Sequence, residues 1–327
     1  MAMRGGIDLG GTKIQAVVVD DDHAVLGEER CPTPTSGGPA DVATAMAGAL
    51  TAAAAAAGVE TAALAGVGVG SPGEIDVAKG TVTQARNLPD WEGSYAVGPE
   101  LGKLVGAPVE LGNDVNVATN AEAELGAGRE FSSMLGVFWG TGVGGGIVLD
   151  DRLWEGRGAG GELGHVVVRI GGRHCPCGRR GCLEAYAGRG SMEARARKLV
   201  DDGHETKLFQ LMEKHGRDRL TSGIWSRALD RDDALAREIV TDAVEALGAG
   251  VASAVNLLDV DAVIIGGGLG VRLGEPYREH IEAAMLPHLF SDDNPPAVRL
   301  AALGDFGGAI GAALLALPGR GSGSLDG

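Results

Sequence analysis

The sequence predicts an α/β protein built from two related halves. A short apolar strand, a turn of glycine and threonine, a second apolar strand and an acidic turn occur in that order over residues 4–22, and again over residues 134–151. Apolar runs bounded by such turns are typical of β-hairpins. At about 100–200 residues per domain, the length of 327 residues also predicts two domains. We therefore expect each half to begin with a hairpin, and coincidence between two ordinary hairpins is the alternative.

The remaining elements follow from the alternation of apolar runs with glycine, proline and polar residues. Strands are predicted at 4–9, 13–19, 25–28, 64–69, 109–111, 134–139, 146–150, 262–265 and 298–301, and helices at 42–57, 115–126, 191–260 and 308–317. Asp41 is expected to cap the first helix, because a short polar side chain accepts hydrogen bonds from the N–H groups of a first helical turn. Residues 151–190 are rich in Gly, Arg and Cys and are expected to be irregular.

Charge and hydropathy limit the partners and the location. The formal net charge of −16 argues against broad electrostatic binding to nucleic acid or to anionic lipid. It does not argue against a nucleotide, since a nest of backbone N–H groups can hold phosphate in an acidic protein. The sequence has no run of 18 or more apolar, uncharged residues and no apolar signal core at its N-terminus. We expect a cytoplasmic protein with small-molecule ligands and without nucleic-acid or membrane partners.

The first glycine turn has the composition of a phosphate-binding loop. It lies within the run Asp8-Leu9-Gly10-Gly11-Thr12-Lys13. Its glycines let the backbone approach a phosphate closely, and Thr12 adds a hydroxyl donor. Asp8 would hold Mg²⁺, usually through water, because Mg²⁺ dehydrates reluctantly. This is not the Walker pattern, since no Gly-Lys-Ser/Thr follows a four-residue spacer. A plain hairpin turn is the alternative.

The second glycine turn formally contains the pattern Gly-x-Gly-x-x-Gly. It lies within the run Gly140-Thr141-Gly142-Val143-Gly144-Gly145-Gly146. The dinucleotide fingerprint opens a helix, whereas a strand follows here, so we reject that interpretation. A second phosphate-binding hairpin turn, with Thr141 and Gly142 as the contacts, fits the context better. Two such turns would hold a triphosphate from both sides.

A third glycine run follows the strand predicted at 262–265. Its residues Gly266, Gly267 and Gly268 have no side chains, so they would let a flat adenine ring lie against the backbone. A simple turn from a strand to a helix is the alternative.

Asn113 and Asp114 follow one predicted strand and precede a predicted helix. This position places the carboxylate of Asp114 at the edge of a sheet. Phosphoryl transfer to an alcohol needs a carboxylate that accepts the hydroxyl proton, and we assign that role to Asp114. Asn113 can hold a neighbouring hydroxyl, because its amide both donates and accepts. The alternative is that either residue only caps the helix.

Three of the four cysteines lie close together, at Cys175, Cys177 and Cys182. With His165 they make a Cys₃His set, which is typical of a closed tetrahedral zinc site. His174 is a rival ligand, but its position next to Cys175 makes simultaneous binding sterically awkward. A structural zinc, at about 10–16 kcal/mol, can order a loop that has little core of its own. Three free thiols in a loop are the alternative.

Two carboxylates accompany the cysteine cluster, Glu162 before it and Glu184 after it. They would face a polyol and accept hydrogen bonds from its hydroxyl groups. Ordinary solvated surface is the alternative for both.

Together and in this order, these motifs resemble the ROK family (repressors, uncharacterised reading frames and kinases), and within it the bacterial glucokinases. The resemblance extends from about residue 4 to residue 317. Its most specific part is the zinc knuckle with the upstream Glu-x-Gly-His. It implies the actin-like, ribonuclease-H-like sugar kinase fold, with two α/β domains flanking a cleft and with the last helix returning to the first domain. We accordingly expect a small α/β domain of residues 1–112 and 304–317, a large α/β domain of residues 113–303 that carries the zinc-binding loop, and a disordered tail at 318–327.

The resemblance also implies two sets of binding residues. The sugar would contact Gly73, Asn87, Asn113, Asp114, Glu162, His165 and Glu184. His165 would then bind zinc with one ring nitrogen and the sugar with the other. The nucleotide and its Mg²⁺ would contact Asp8, Gly10, Gly11, Thr12, Lys13, Thr141, Gly142, Gly267 and Gly268.

The activity implied is that of an ATP-dependent glucokinase with Mg-ATP, a structural zinc and Asp114 as the general base. A homodimer or homotetramer is expected. The alternatives are a kinase of N-acetylmannosamine or fructose, a glucokinase that uses polyphosphate, and a sugar-sensing regulatory protein without catalysis. Repressors of the family carry an additional N-terminal helix-turn-helix domain. The first motif begins at Asp8, so we expect no such domain here.

Overall fold

The computed structural model describes residues 2–85, 88–291 and 293–317. Two compact units divide the chain. The first unit comprises the chain up to Leu125 and the segment that begins at Leu303, and the second comprises Gly126–Ala302. The segment 318–327, expected to be a disordered tail, lies outside the described residues.

The first unit is built on a five-stranded sheet of order β3-β2-β1-β4-β8. Its elements are β1 Arg4–Leu9, β2 Lys13–Val19, β3 Val25–Pro32, α1 Gly38–Ala56, β4 Val67–Ser71, β5 Glu74–Asp76, β6 Thr81–Thr83, β7 Ser94–Tyr95, α2 Val97–Val105, β8 Val109–Asn113, α3 Asp114–Glu124 and α11 Gly307–Leu315. Strands β1 and β2 form an antiparallel hairpin, and β1, β4 and β8 run parallel. The carboxyl ends of these three strands therefore lie along one edge of the sheet.

Helices cover both faces of this sheet. On one face, α1 packs over Ile7, Leu9 and Ile14, which are fully buried. On the other face, α11 lies directly on the strands, because a Cβ at Gly6 or Gly68 would overlap the backbone of α11. The sequence-derived boundary separated α3 from the small domain. In the structure, α3 packs on α11, β4 and β8, which places it in the first unit.

The second unit repeats the arrangement of the first. Its elements are β9 Met134–Trp139, β10 Val143–Leu149, β11 Arg152–Leu153, α4 Glu184–Ala187, α5 Arg189–Asp201, α6 Leu208–Lys214, α7 Ser222–Leu229, α8 Ala234–Leu258, β12 Ala262–Gly266, α9 Gly267–Leu273, α10 Glu275–Met285 and β13 Ala297–Leu300. Its sheet has the order β11-β10-β9-β12-β13, with β9 and β10 antiparallel and with β9, β12 and β13 parallel. Both units thus begin with a hairpin that leads into parallel strands, as the repeated pattern predicts.

One predicted helix start is wrong. Helix α1 begins at Gly38, and Gly37 is its N-cap residue with φ of +98°, so Asp41 lies inside the first turn and does not cap it. Pro39 also belongs to this turn, where its missing N–H costs nothing and its fixed φ suits the helix. Within the described residues, no helix is both long and apolar enough to cross a bilayer.

Candidate active site

The polar residues predicted in the first unit lie at the carboxyl edge of its sheet. Asp8 near the end of β1 pairs in register with Gly70 of β4, and Ser71 of β4 pairs with Asn113 of β8. Gly73 follows β4 with φ of +97°, and a Cβ there would lie 2.6 Å from the carbonyl oxygen of Thr83, so glycine is required. Three parallel strands therefore bring Asp8, Gly73 and Asn113 to one edge. Asn87 lies outside the described residues.

Asn113 and Asp114 both contact the start of α3, where the sequence left open which of the two residues caps the helix. The Oδ1 atom of Asn113 caps α3 by accepting hydrogen bonds from the backbone N–H groups of Val115 at 3.1 Å and Asn116 at 3.2 Å. Its amide nitrogen is not used in that cap. Asp114 is the first helical residue, and its Oδ1 also accepts from Val115, at 3.0 Å. Its half-buried carboxylate stands at the positive end of the helix dipole, which favours a negative charge there.

The first glycine turn is held by its own hairpin. The N–H of Gly10 donates to the carbonyl oxygen of Lys13 at 3.0 Å. The hydroxyl of Thr33 donates to the carbonyl oxygen of Gly10 at 2.6 Å. Gly11 and Thr12 at the tip are exposed, so their N–H groups can reach a ligand.

Asp8 stands beside this turn against the first turn of α11. A Cβ at Gly308 would lie 2.9 Å from the carboxyl carbon of Asp8, so only glycine lets the helix approach so closely. Burial raises the pKa of Asp8, and the positive charge of Lys13 partly offsets this effect. Burial and the nearby Arg30 lower the pKa of Lys13. The carboxylate of Asp8 supplies the oxygen ligand that Mg²⁺ prefers, and Mg²⁺ usually keeps several of its waters when it binds.

The second glycine turn is held by α4 and α5 rather than by its hairpin alone. The N–H groups of Arg189 and Gly190 donate to the carbonyl oxygens of Gly140 and Thr141, at 3.2 and 3.1 Å. The Oε2 atom of Glu184 accepts from the N–H of Val143 at 3.0 Å. A Cβ at residue 142 would overlap this same carboxylate oxygen, so position 142 must be glycine. The second glycine turn is therefore bound directly to Glu184, the carboxylate that the sequence predicts to bind sugar.

Arg189 is a site residue that the sequence analysis did not identify. Its guanidinium donates to the hydroxyl of Thr141 at 2.9 Å and to the hydroxyl of Ser222 at 3.0 Å. It also lines a cavity of about 210 Å³, which the side chains of Thr141, Glu193, Arg197 and Arg219 border as well. No local sequence motif identifies Arg189, because its partners Thr141 and Ser222 are 48 and 33 positions away in the chain.

The third glycine run lies next to the second turn. Gly267 has φ of +78°, and a Cβ there would lie 2.5 Å from the carbonyl oxygen of Trp139, so the run needs glycine for backbone packing. A Cβ on Gly140 would lie 3.9 Å from the backbone nitrogen of Gly268. The second unit therefore gathers Thr141, Gly142, Gly267 and Gly268 in one region.

His165, Cys175, Cys177 and Cys182 form one cluster, in which the four ligand atoms all lie within 4.8 Å of one another. The Sγ atoms of Cys177 and Cys182 are 3.8 Å apart. Two sulfurs bound to one tetrahedral zinc at about 2.3 Å each would be about 3.8 Å apart, so the cluster fits zinc. His174 is not part of it, because its ring binds the guanidinium of Arg180 at 2.6 Å.

The cysteines of the cluster differ in proton affinity. Burial raises the pKa of Cys175 to about 12 and also raises the pKa of Cys182. Burial acts in the same direction on Cys177, but hydrogen bonds from the Arg179 backbone and from Cys175 lower the pKa of Cys177 to about 7. Cys177 is therefore the thiol that ionises first and offers a thiolate to a metal ion.

The two ring nitrogens of His165 face different partners. Nδ1 lies 3.9 Å from the sulfur of Cys175, whereas Nε2 lies 3.9 Å from a carboxylate oxygen of Glu162. The short 3₁₀ helix Leu163–His165 packs on the start of β10, where Val143 also meets Glu184. Glu162, His165 and Glu184 thus converge on the same strand end.

Comparisons with known proteins agree with this geometry. A model of the ROK family matches residues 4–318. A glucokinase from Halalkalibacterium halodurans is 33% identical over 311 residues, which cover 94% of this chain and 92% of that protein. The N-acetylgalactosamine kinase AgaK from Shewanella is 32% identical over 319 residues, which cover 95% of each chain. The crystal structure of a ROK family glucokinase from Streptomyces griseus, in complex with glucose and AMPPNP, is 31% identical, covers 96% of this chain and 99% of that chain, and has a TM-score of 0.82.

Proposed function

Because the chain belongs to the ROK family, we propose that it is an ATP-dependent glucokinase, which transfers the γ-phosphoryl group of ATP to glucose and releases glucose 6-phosphate and ADP. Its fold is the actin-like α/β fold of ROK sugar kinases. The observation that carries the proposal is the sheet edge of the first unit. There Asp8, beside a glycine turn near the end of β1, and Asp114, at the helix start directly after β8, lie at the carboxyl ends of two parallel strands that are separated by β4.

Asp114 is the general base in this proposal. Its carboxylate accepts the proton of the sugar 6-hydroxyl while that oxygen attacks the γ-phosphorus in line. Asn113 caps α3 with its own side chain, directly before the base. Such a base contributes about 10²–10⁴-fold to the rate.

The phosphates are held by the two glycine turns. The N–H groups of Gly11 and Thr12 and the positive charge of Lys13 bind phosphate at the first turn, which Gly10 shapes, and Thr141 and Gly142 bind phosphate at the second. Gly268, where a Cβ would meet only the Ser222 hydroxyl at 3.7 Å, leaves room for the adenine ring beside the second turn, and Gly267 lies next to it. Asp8 holds the Mg²⁺ of the nucleotide, which offsets negative charge on the β- and γ-phosphates when it is bound.

In this proposal the sugar is bound by carboxylate, amide and imidazole groups. Glu162 and Glu184 accept hydrogen bonds from its hydroxyl groups, and the Nε2 atom of His165 forms a further hydrogen bond with the sugar. Asn113 donates with its amide nitrogen, which the helix cap does not use. Gly73 and Asn87 complete the set proposed from the family resemblance. One oxygen of Glu184 already binds the backbone of the second phosphate turn, so the sugar and phosphate contacts share this side chain.

The cysteine cluster holds a structural zinc in this proposal. Its ligands are Cys175, Cys177, Cys182 and the Nδ1 atom of His165, whose Nε2 atom then faces Glu162 and the sugar. A metal-bound imidazole keeps a fixed orientation, so the zinc orients a sugar contact while it stabilises the loop.

A kinase of another sugar is the second candidate, because the N-acetylgalactosamine kinase from Shewanella matches over the same extent as the glucokinase. Two assays decide between these activities. With ATP as the donor, a coupled assay follows ADP release over glucose, fructose, mannose and the N-acetyl hexosamines. With polyphosphate as the donor, the production of glucose 6-phosphate is followed. We expect the largest kcat/KM for glucose with ATP. Turnover restricted to an N-acetyl sugar would replace the glucokinase by the second candidate. Sugar binding without turnover of any of them would indicate a regulatory protein.

A further inference from the structure

Gln15 in β2 is a buried polar residue that no part of the proposed mechanism uses. Its side chain is fully buried, and neither its Nε2 nor its Oε1 atom has a hydrogen-bond partner among the described residues. The large majority of buried polar atoms in proteins are hydrogen-bonded, because an unpartnered amide loses its bonds to water without compensation. An apolar side chain of similar size would cost less free energy to bury at this position.

The position of Gln15 in the sheet connects it to Asp8. Gln15 pairs in register with Asp8 of β1 on one side and with Arg30 of β3 on the other. Residues directly opposite each other on neighbouring strands point to the same face, with Cβ atoms about 4.5–5.5 Å apart. Arg30 is already engaged, because its guanidinium pairs with Asp305 at 3.0 Å and lies over the ring of Phe306. The carboxylate of Asp8 has a charge interaction with Lys13 and no hydrogen bond among the described residues.

The face that carries Asp8 and Gln15 is covered by α11. Gly308 in the first turn of α11 lies against the carboxyl group of Asp8. Farther along β2 the same face presents Val17 and Val19, which pack with Ala309 and Ala313 of α11. Gln15 therefore stands where the pattern of this strand face predicts an apolar residue, and the polar residue directly opposite it on β1 is Asp8.

We propose that Gln15 is a positioning residue for Asp8. Its amide nitrogen donates a hydrogen bond to the carboxylate of Asp8 and fixes the orientation in which Asp8 holds the hydrated Mg²⁺ of the nucleotide. Only side-chain rotation is needed, because the two residues are already paired on the ladder. The amide offsets part of the desolvation that the charged carboxylate suffers beside α11. This inference rests on the proposed function, since it assigns Asp8 to Mg-nucleotide binding.

The test compares Gln15→Met, which has a similar shape and no hydrogen-bonding amide, with the unmodified protein. Thermal unfolding is measured without ligand, with AMPPNP and EDTA, and with AMPPNP and Mg²⁺. Without ligand, we expect Gln15→Met to melt at the same temperature as the unmodified protein or higher. With AMPPNP and Mg²⁺, we expect a clearly smaller increase of the melting temperature. In the kinase assay, the Mg²⁺ concentration for half-maximal rate should rise about tenfold, as expected for loss of one charge-assisted hydrogen bond.

Val17→Ala is the matched control, because Val17 lies on the same strand and the same face but has no polar role. We expect it to lower the melting temperature without ligand and to leave the Mg²⁺ requirement and the Mg-dependent increase unchanged. If Gln15→Met left both the Mg²⁺ requirement and the Mg-dependent increase of the melting temperature unchanged, this inference would be overturned, whereas the proposed function would stand. If the unmodified protein itself showed no Mg-dependent increase with AMPPNP, the proposed function would fail, and this inference with it.

Discussion

The two glycine turns occupy the same place in their hairpins, yet different parts of the chain hold them. The first turn is closed by Lys13 and braced by Thr33, and its tip is exposed. The second is bound along its backbone by Glu184 and by the start of α5. The first turn is therefore an independent loop beside Asp8. The second is coupled to a residue proposed to bind sugar, so damage to it should affect both substrates.

The largest effect is expected at Asp114, the proposed general base. Replacing Asp114 by Asn removes the proton acceptor and keeps the shape of the helix start. We expect kcat to fall about 10²–10⁴-fold with little change in KM for glucose or ATP. Steady-state kinetics measure this directly. Glu110→Gln is the matched control, because Glu110 is an exposed carboxylate on β8, the strand that leads to Asp114, and its loss should leave kcat unchanged. An Asp114→Asn protein that keeps more than about a tenth of the original kcat would remove Asp114 from the role of base.

The second prediction sets the two turns against each other. In Gly142→Ala the new methyl group overlaps the carboxylate of Glu184, whereas in Gly10→Ala it meets only the carbonyl oxygen of Lys13, at 3.1 Å. We expect Gly142→Ala to raise KM for glucose about tenfold or more, the effect of disturbing one hydrogen bond to a charged group, and to raise KM for ATP as well. Gly10→Ala should affect only the kinetics with ATP. Equal KM values for glucose in the two variants would show that the second turn is not coupled to the sugar.

The third prediction concerns the loop that positions His165 beside Glu162. Removing zinc, or replacing Cys177 by Ser, should lower the melting temperature and raise KM for glucose about 10–100-fold, because the metal orients His165. Elemental analysis should find about one zinc per chain in the unmodified protein. Cys31→Ser is the matched control, since Cys31 lies on β3 outside the cluster. Purified protein that is active with well under one zinc per chain would contradict the structural role of the metal.

Sequence patterns predicted the features that depend on neighbouring residues. Both hairpins, the existence of the strands after them and the choice of His165 over His174 follow from local composition, spacing and sterics. The start of α1 was misplaced because Asp41 and Gly37 are both acceptable caps in sequence, and only the backbone geometry distinguishes them. The three short strands β5, β6 and β7 were not predicted, since two or three residues are too few to establish an alternating pattern.

The roles that sequence could not predict depend on distant partners. Thr141 and Arg189 are 48 positions apart, and Val143 and Glu184 are 41 apart. The two glycine turns have similar sequence patterns. Only the packing of the second turn against α4 and α5 shows that it is bound to Glu184 and to the start of α5. Likewise, nothing in the run around Gln15 indicates that its amide is buried without a partner. Pairing across the sheet and coverage by α11 create that situation.

The smallest effect is expected where the second turn meets α5. Arg189→Lys keeps the positive charge but cannot bind the hydroxyls of Thr141 and Ser222 together, because an ammonium group lacks the planar fork of a guanidinium. We expect KM for ATP to rise about three- to tenfold, the range for loss of one hydrogen bond, with kcat and KM for glucose nearly unchanged. Arg197→Lys is the matched control, because Arg197 lines the same cavity but pairs with Glu193 and not with the turn. If both variants raised KM for ATP equally, the loss of a guanidinium group anywhere in the cavity, and not the hydrogen bond to Thr141, would explain the effect. A rise confined to Arg189→Lys would show that the hydrogen bond to Thr141 holds the second turn in its phosphate-binding form.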